Sequence, residues 1–189
     1  EAPGLIIGGF MADMALKQMP QGILYNAISE TENCLPDAIQ LLTPCTVGNG
    51  WLQIINLGRY ALSLYAKYTG VGVRVFVDTE KVRRWPEIAA WFFKEKPKKE
   101  QDTPRLLADI LEAGKGILSL AEVSVNAPSF VRRKKGQIIA CPSCGEAFPI
   151  AHGNICRACQ GTNPYQMQSL PMQPQAPELC PVPVENALG

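Results

Sequence analysis

The sequence predicts an α+β fold, with helices packed on a mainly antiparallel sheet, followed by a small metal-binding module. Every second residue from Val71 to Val77 is valine, directly after a Thr69-Gly70 turn. This alternation predicts a β-hairpin of Ala61–Tyr68 and Val71–Val77 with one buried face. Near the end of the chain are two Cys-x-x-Cys pairs, separated by eleven residues. Pairs of this type are typical of metal sites.

The segments before the hairpin predict two helices and two strands. Ile7 begins an apolar pattern at i, i+3, i+4 and i+7, which indicates a helix ending before Pro20. Gly8-Gly9 in this helix would let another backbone approach closely. A short helix ending at Thr43-Pro44 has Pro36 in a favoured first position. The two strands are predicted at Ile23–Ser29 and Trp51–Ile55.

After the hairpin, the pattern predicts two more helices and one strand. The first helix runs over residues 79–94 and is broken or restarted at Pro86. The second begins at Thr103-Pro104, with three apolar side chains on one side: Leu107, Ile110 and Leu111. The charged segment 94–102 between the helices is expected to be a solvated connector. Residues 122–126 are predicted to form a last core strand.

Composition narrows the class of protein. The chain has 189 residues, 47% of them hydrophobic, with a formal net charge of +1, so no overall field attracts nucleic acid or an anionic membrane. No apolar run approaches the roughly 18 residues that span a bilayer, and the first residues do not resemble a signal peptide. Seven cysteines, four of them in metal spacing, favour a reducing cytoplasm.

The Cys-x-x-Cys pairs predict a structural Zn²⁺ site with four thiolate ligands. Two intervening residues let each pair turn tightly around one ion, at about 2.3 Å per Zn–S bond. Gly145 suits the left-handed backbone of such a turn. Buried or disulfide-linked cysteines and a rubredoxin-like iron site are the alternatives. His152, the only histidine, is expected at the surface. The predicted ligands are Cys141, Cys144, Cys156 and Cys159.

A second group of polar residues surrounds the short helix. Cys34 and Cys45 bracket it, and an eight-residue helix is about 12 Å long, so the two thiols should not share an ion unless the chain folds back. The chemistry alone favours a structural interpretation, because an unpaired cysteine most often behaves as a buried small hydrophobe. Asp37 and Gln40 stand three apart and would share a helical face.

Several motifs resemble the FmdE family of formylmethanofuran dehydrogenase proteins. They are Pro3-Gly4 with Met11-Ala12-Asp13, the Glu30–Gln40 segment, Cys45-Thr-Val-Gly-Asn-Gly, the Tyr65–Val75 hairpin and the Cys-Pro-x-Cys-Gly-Glu module. The resemblance spans roughly residues 1 to 160. It implies an α+β core, a treble-clef zinc finger, frequent dimerisation and an association with molybdenum- or tungsten-dependent one-carbon metabolism. It also implies a core site, for a small ligand or a second metal, lined by Cys34, Asp37, Gln40, Cys45, Thr46 and Gly48.

The sequence departs from the family pattern at two places near this core site. Ala2 stands where the family has a cysteine of a His-x-Cys-Pro-Gly element, and any matching histidine would precede Glu1. Asn49 stands where the glycine loop usually carries lysine. The predicted domains are a core over 1–135, a zinc finger over 136–162 and a Pro/Gln-rich extended tail over 163–189.

Three functions follow as hypotheses. The first is an FmdE-like cytoplasmic zinc protein, expected as a homodimer and accessory to a molybdenum or tungsten formylmethanofuran dehydrogenase or a related oxidoreductase. The second is a nucleic-acid binder using Arg132–Lys135 and Arg157, which the near-neutral charge disfavours. The third is a structural adaptor in which the finger and the tail clamp a partner or a second copy of the chain.

Overall fold

A computed structural model describes residues 2–126 and 136–165, and the chain divides into two compact units, Glu1–Arg132 and Arg133–Gly189. The basic run 132–135 and nearly all of the predicted extended tail lie outside the described residues. Each unit is a separate body with its own apolar cluster.

The first unit is a five-stranded sheet with helices. Its helices are α1 (Pro3–Leu16), α2 (Leu35–Leu42), α3 (Thr79–Val82), α4 (Pro86–Phe92) and α5 (Thr103–Ala113). Its strands are β1 (Tyr25–Ser29), β2 (Leu52–Ile54), β3 (Ala61–Ala66), β4 (Val71–Val77) and β5 (Leu118–Ser124). The order is β2-β1-β3-β4-β5; β1 and β2 are parallel, and the other pairs are antiparallel. The predicted α+β class with a mainly antiparallel sheet is confirmed.

The core lies between the helices and one face of the sheet. α1 packs on β3 and β4, and α2 packs on β1 and β2. Register places Ala27 opposite Leu64, and Leu64 opposite Val73, so these apolar side chains share one face. The predicted hairpin is confirmed, but its first valine is not buried. Val71 is 60% exposed because it lies at the tip of the hairpin, beside the turn.

Two glycines let α1 and α2 approach each other closely. A Cβ at Gly8 would lie 2.7 Å from the Ala38 Cβ, and one at Gly4 would lie 3.1 Å from the Cys34 Cβ. Real Cβ atoms do not come as near as the first of these distances, so Gly8 is required by the packing. At Gly9 the nearest atom would be a Leu42 methyl carbon at 3.8 Å. Of the predicted Gly8-Gly9 pair, only Gly8 therefore serves close approach.

The elements after the hairpin differ in detail from the prediction. The break at Pro86 is confirmed, as is the exposed connector over 94–102. The predicted face of α5 is wrong at Leu111, which is 62% exposed; Leu106 and Ile110, four residues apart, face the core instead. The last strand starts at Leu118 and not at Glu122. Its core-facing part is the first half, and Glu122 is exposed.

The second unit is built around a short hairpin of β6 (Ile138–Ala140) and β7 (Ala147–Pro149). A 3-10 turn at Ile150–His152 and a helical turn at Ala158–Thr162 follow. Phe148 is the largest buried side chain, and it packs with Cys141 and Cys156. So small a cluster cannot stabilise a fold alone, which is why the cysteines matter.

In the part of the chain that the structure describes, no helix is both long enough and apolar enough to cross a bilayer.

Candidate functional site

The four predicted zinc ligands meet in the second unit. The sulfur atoms of Cys141, Cys144, Cys156 and Cys159 all lie within 4.8 Å of one another. The Cys144 and Cys156 sulfurs are 3.7 Å apart. A tetrahedron with bonds of about 2.3 Å separates its sulfur atoms by about 3.8 Å. The geometry therefore fits one tetrahedral ion, and each described cysteine is free of a disulfide.

The first pair of ligands is held by the β6–β7 hairpin. The Cys141 N–H donates to the Glu146 carbonyl at 2.8 Å, which continues the hairpin ladder to the first ligand. Gly145 has φ +79°, as predicted, and its N–H donates to the Cys141 carbonyl. Because this backbone is unfavourable for other residues, glycine closes the turn after Cys144.

The two pairs are joined by a hydrogen bond from the backbone to sulfur. The Cys156 N–H donates to the Cys141 sulfur, with 3.4 Å between nitrogen and sulfur. This bond is the main reason that the pKa of Cys141 falls to about 6. At Cys144 the Glu146 N–H lowers the pKa, but burial and the neighbouring thiols together raise it to about 12. Four adjoining sulfurs thus become thiolates together only when a cation offsets their charge.

The module is a structural zinc site. Four protein ligands complete the tetrahedral shell and leave no open position for a substrate. His152 is half-buried and is not one of the residues in the thiol cluster. Its backbone carbonyl accepts a hydrogen bond from the Gln160 side chain.

The residues of the predicted core site divide between the two ends of α2. At the start, Cys34 is half-buried with φ +49°, and Asp37 is exposed one turn later. A Cβ on Gly4 would lie 3.3 Å from the Cys34 sulfur and 2.9 Å from the Tyr60 hydroxyl. Burial raises the pKa of Tyr60, with smaller effects from the Cys34 and Asp37 charges. Cys34, Asp37 and Tyr60 therefore form one small polar group.

The other predicted residues form a closed loop after α2. Cys45 is fully buried and its thiol donates to the Tyr25 carbonyl at 3.5 Å. Burial raises the pKa of this thiol, as expected for a structural cysteine. The Gln40 side chain accepts from the Val47 N–H, and the Thr46 hydroxyl accepts from the Asn49 N–H. Gly48 is exposed.

Asn49 explains why this loop does not need the family's lysine. Its Oδ1 accepts from the N–H groups of Thr46 and Trp51, and its Nδ2 donates to the Pro44 carbonyl at 2.7 Å. The amide thus closes the loop as a structural residue. Within residues 2–126 and 136–165, the zinc cysteines form the only group of three or more His, Cys, Asp or Glu that could hold a metal. The core ligand site stays a prediction.

A buried ion pair beside the start of α2 was not predicted from the sequence. The Glu30 carboxylate accepts two hydrogen bonds from Arg74, at 2.6 and 2.8 Å, and one from Arg59 at 2.7 Å. The Arg74 bonds are the main reason that the pKa of Glu30 is lowered. The Glu30 carbonyl also accepts from the Leu57 and Arg59 N–H groups, so this residue fixes the loop that carries Tyr60. Arg74, the charge inside the alternating valines, was the available clue.

A cavity of about 400 Å³ lies at the other end of α1. Its walls are the segment after α1 and the tip of the β3–β4 hairpin, including Met19, Ile23 and Val71, with Glu122 at one side. None of the predicted core-site residues lines it.

Comparisons with known proteins agree with this architecture. The family model "FmdE, Molybdenum formylmethanofuran dehydrogenase operon" matches residues 1–138, and "FmdE treble clef zinc finger" matches residues 132–166. The crystal structure of an FmdE-like protein of tungsten formylmethanofuran dehydrogenase, from Syntrophus aciditrophicus, has a TM-score of 0.78 and 53% sequence identity. The match covers 87% of this chain and 86% of that one.

A curated relative matches less completely. It is a "Probable S-adenosyl-L-methionine-binding protein" of Archaeoglobus fulgidus, 33% identical over 155 residues, which is 72% of this chain. The match spans only 40% of the relative's length. The two family models cover both units described above. The chain therefore belongs to the FmdE family, in the form that carries a C-terminal treble-clef zinc finger.

Proposed function

We propose that this protein is an accessory zinc protein of a molybdenum or tungsten formylmethanofuran dehydrogenase or a related one-carbon oxidoreductase. The observation that carries the proposal is the 53% identity, over 87% of the chain, to the FmdE-like protein of Syntrophus aciditrophicus. The molybdenum operon named in the family description supports the same context. The proposal assigns no catalytic step to this chain.

Co-purification tests this association. The full chain would be tagged in its native host, and the eluate would be analysed for molybdenum and tungsten by mass spectrometry. The expected result is enrichment of one of these metals with the chain, compared with cells that express the tag alone. If neither metal is enriched in cells that contain an active dehydrogenase, the accessory role is wrong.

We also propose that the polar group of Cys34, Asp37 and Tyr60 is the part of the core that contacts a small ligand or a second metal. The half-buried thiol and the exposed carboxylate support this, because both are accessible at one end of α2. The name of the Archaeoglobus fulgidus relative makes S-adenosyl-L-methionine one ligand to test.

Metal analysis separates a core metal from the finger metal. A variant with all four finger cysteines replaced by serine is compared with one that also carries Cys34→Ser. Metal that remains in the first variant and disappears in the second supports a core metal. A first variant without bound metal contradicts it. Calorimetric titration of the wild type with S-adenosyl-L-methionine, with Asp37→Asn as control, tests the small ligand.

We further propose a homodimer that works in the cytoplasm. Residues 38–58 contain no charged side chain, although six large apolar residues in this stretch are more than one third exposed: Leu41, Leu42, Val47, Ile54, Ile55 and Leu57. Such apolar exposure is typical of surfaces that meet another protein. Light scattering coupled to size exclusion gives the mass in solution. A monomer at micromolar concentration would contradict the dimer.

A further inference from the structure

The second pair of zinc ligands has no strand to hold it. Cys141 and Cys144 sit on the β6–β7 hairpin, whereas Cys156 and Cys159 follow an irregular segment after the 3-10 turn. Since both pairs must present sulfur atoms to one ion, something else has to fix the second pair. The residue directly after Cys159 is placed to do this.

Gln160 closes the segment that leads into Cys156. Its Nε2 donates to the His152 carbonyl at 2.8 Å and to the Ile155 carbonyl at 2.6 Å. The backbone N–H of Gln160 donates to the Cys156 carbonyl at 3.0 Å. Side chain and main chain of this one residue thus tie the segment before Cys156 to the turn that contains Cys159.

Gly153 leaves the room that the Gln160 amide occupies. A Cβ at position 153 would lie 3.3 Å from the Gln160 Nε2. The φ of Gly153 is +118°, a conformation that side chains disfavour. Two positions seven residues apart are therefore matched to each other, one providing the amide and the other the space for it.

This arrangement also fixes the bond between the two pairs of ligands. Ile155 directly precedes Cys156, whose N–H donates to the Cys141 sulfur. By holding the Ile155 carbonyl, the Gln160 amide orients the peptide that makes this bond. The amide itself does not reach the sulfur atoms; it acts through the backbone on either side of Cys156.

We propose that Gln160 is the positioning residue of the zinc centre. It holds Cys156 and Cys159 at metal-binding spacing before the ion binds, and so raises zinc affinity and slows zinc release. Residues that orient metal ligands in this way typically change metal affinity by about 10- to 100-fold when they are removed. Preorganisation accounts for the direction, because the ion then binds without ordering the segment itself.

The experiment compares Gln160→Ala and Gln160→Glu in the full chain with wild type. Gln137→Ala is the control, because Gln137 is exposed in the same unit and its side chain makes no hydrogen bond among the residues described. Zinc affinity is measured by competition with a chromogenic chelator, and release by stopped flow. We expect at least about 10-fold weaker binding and faster release in both Gln160 variants. The control should stay within about twofold of wild type, since nothing near the ligands changes.

A cobalt spectrum separates positioning from general loss of structure. With saturating Co²⁺, Gln160→Ala should still give a tetrahedral thiolate spectrum, with its d–d bands shifted from those of wild type, because the second pair is less constrained. If Gln160→Ala binds no metal even in excess, Gln160→Asn decides. Its shorter amide reaches at most one carbonyl, so its affinity should be reduced. Wild-type affinity in Gln160→Ala, or in Gln160→Asn where that variant decides, would overturn the proposal. So would an unshifted spectrum.

Discussion

The buried ion pair of Glu30 gives the sharpest test of how the core is held together. The Glu30 side chain is 7% exposed and pairs with Arg74, which is 20% exposed, and with Arg59, which is 58% exposed. Replacing Glu30 with Gln keeps the size of the side chain but removes its charge. The new amide group would also point an N–H donor toward guanidinium donors. Arg74 would then be left partly buried without a counter-ion.

The expected cost follows from burial. Removing one partner of a buried pair costs about 3 to 5 kcal/mol, because the other charge stays desolvated and unpaired. Arg59 adds little, since exposed pairs contribute less than about 1 kcal/mol. Arg74 retains some access to water, so we expect the lower end, about 3 kcal/mol. With a urea slope of about 1.5 kcal/mol per M, the unfolding midpoint falls by about 2 M.

Tryptophan fluorescence provides the assay, because Trp51, Trp85 and Trp91 all lie in the first unit. The loss should depend on pH in a defined direction. The folded pKa of Glu30 is lowered, so its stabilisation is complete above the unfolded pKa of about 4.3 and is lost as pH falls through the folded pKa. The difference between wild type and variant should therefore be full at pH 7 and decrease below about pH 4.

Glu32→Gln is the matched control. Glu32 lies two residues along the chain, is exposed, and has no ion-pair partner among the residues described. It should change the free energy of unfolding by less than about 0.5 kcal/mol. If Glu30→Gln also stays within that range at pH 7, or if its effect is the same at pH 3 and pH 7, the ion pair does not stabilise the core.

The remaining predictions concern helix packing, Tyr60 and the zinc site. Gly8→Ala brings a methyl carbon to 2.7 Å from the Ala38 Cβ and should lower the free energy of unfolding by about 1 to 3 kcal/mol. Gly9→Ala, with free space around it, should raise that energy by up to about 1 kcal/mol; equal urea midpoints for the two variants would refute close α1–α2 packing. Tyr60→Phe removes the 2.6 Å hydrogen bond to the Gly4 carbonyl and should cost about 1 kcal/mol in thermal unfolding, with no loss pointing to a replacement by water. Zinc should be released as pH falls, because protons compete for the thiolates; a chelator assay that finds all zinc still bound at pH 4 would contradict a four-thiolate site.

Patterns within short segments predicted most of the elements. The valine alternation predicted the hairpin because side chains on a strand point to alternate faces. Pro36 and Pro86 marked helix starts, because proline fits the first turn and not the interior. The errors lie where such a pattern reaches the end of its element. Val71 alternates correctly but lies at an exposed hairpin tip, and the prediction for Leu111 on α5 missed Leu106 as a core-facing residue.

The core site was harder to predict because its residues are brought together by packing. Cys34 and Cys45 look alike in the sequence, yet one is half-buried beside Gly4 and Tyr60 while the other is fully buried against Tyr25. Asn49 looked like a missing functional lysine and is the residue that closes its loop.

By itself, the sequence determined the zinc ligands and the class of fold. Ligands two residues apart meet the same ion through local turns, and strand and helix periodicity is a local property, so neither needs knowledge of distant parts of the chain. Only the tertiary structure decided that Glu30 faces Arg74, 44 residues away, and that Tyr60 reaches Gly4. Those contacts depend on strand order and register, because the pairing of β1 with β3, and of β3 with β4, brings distant residues side by side.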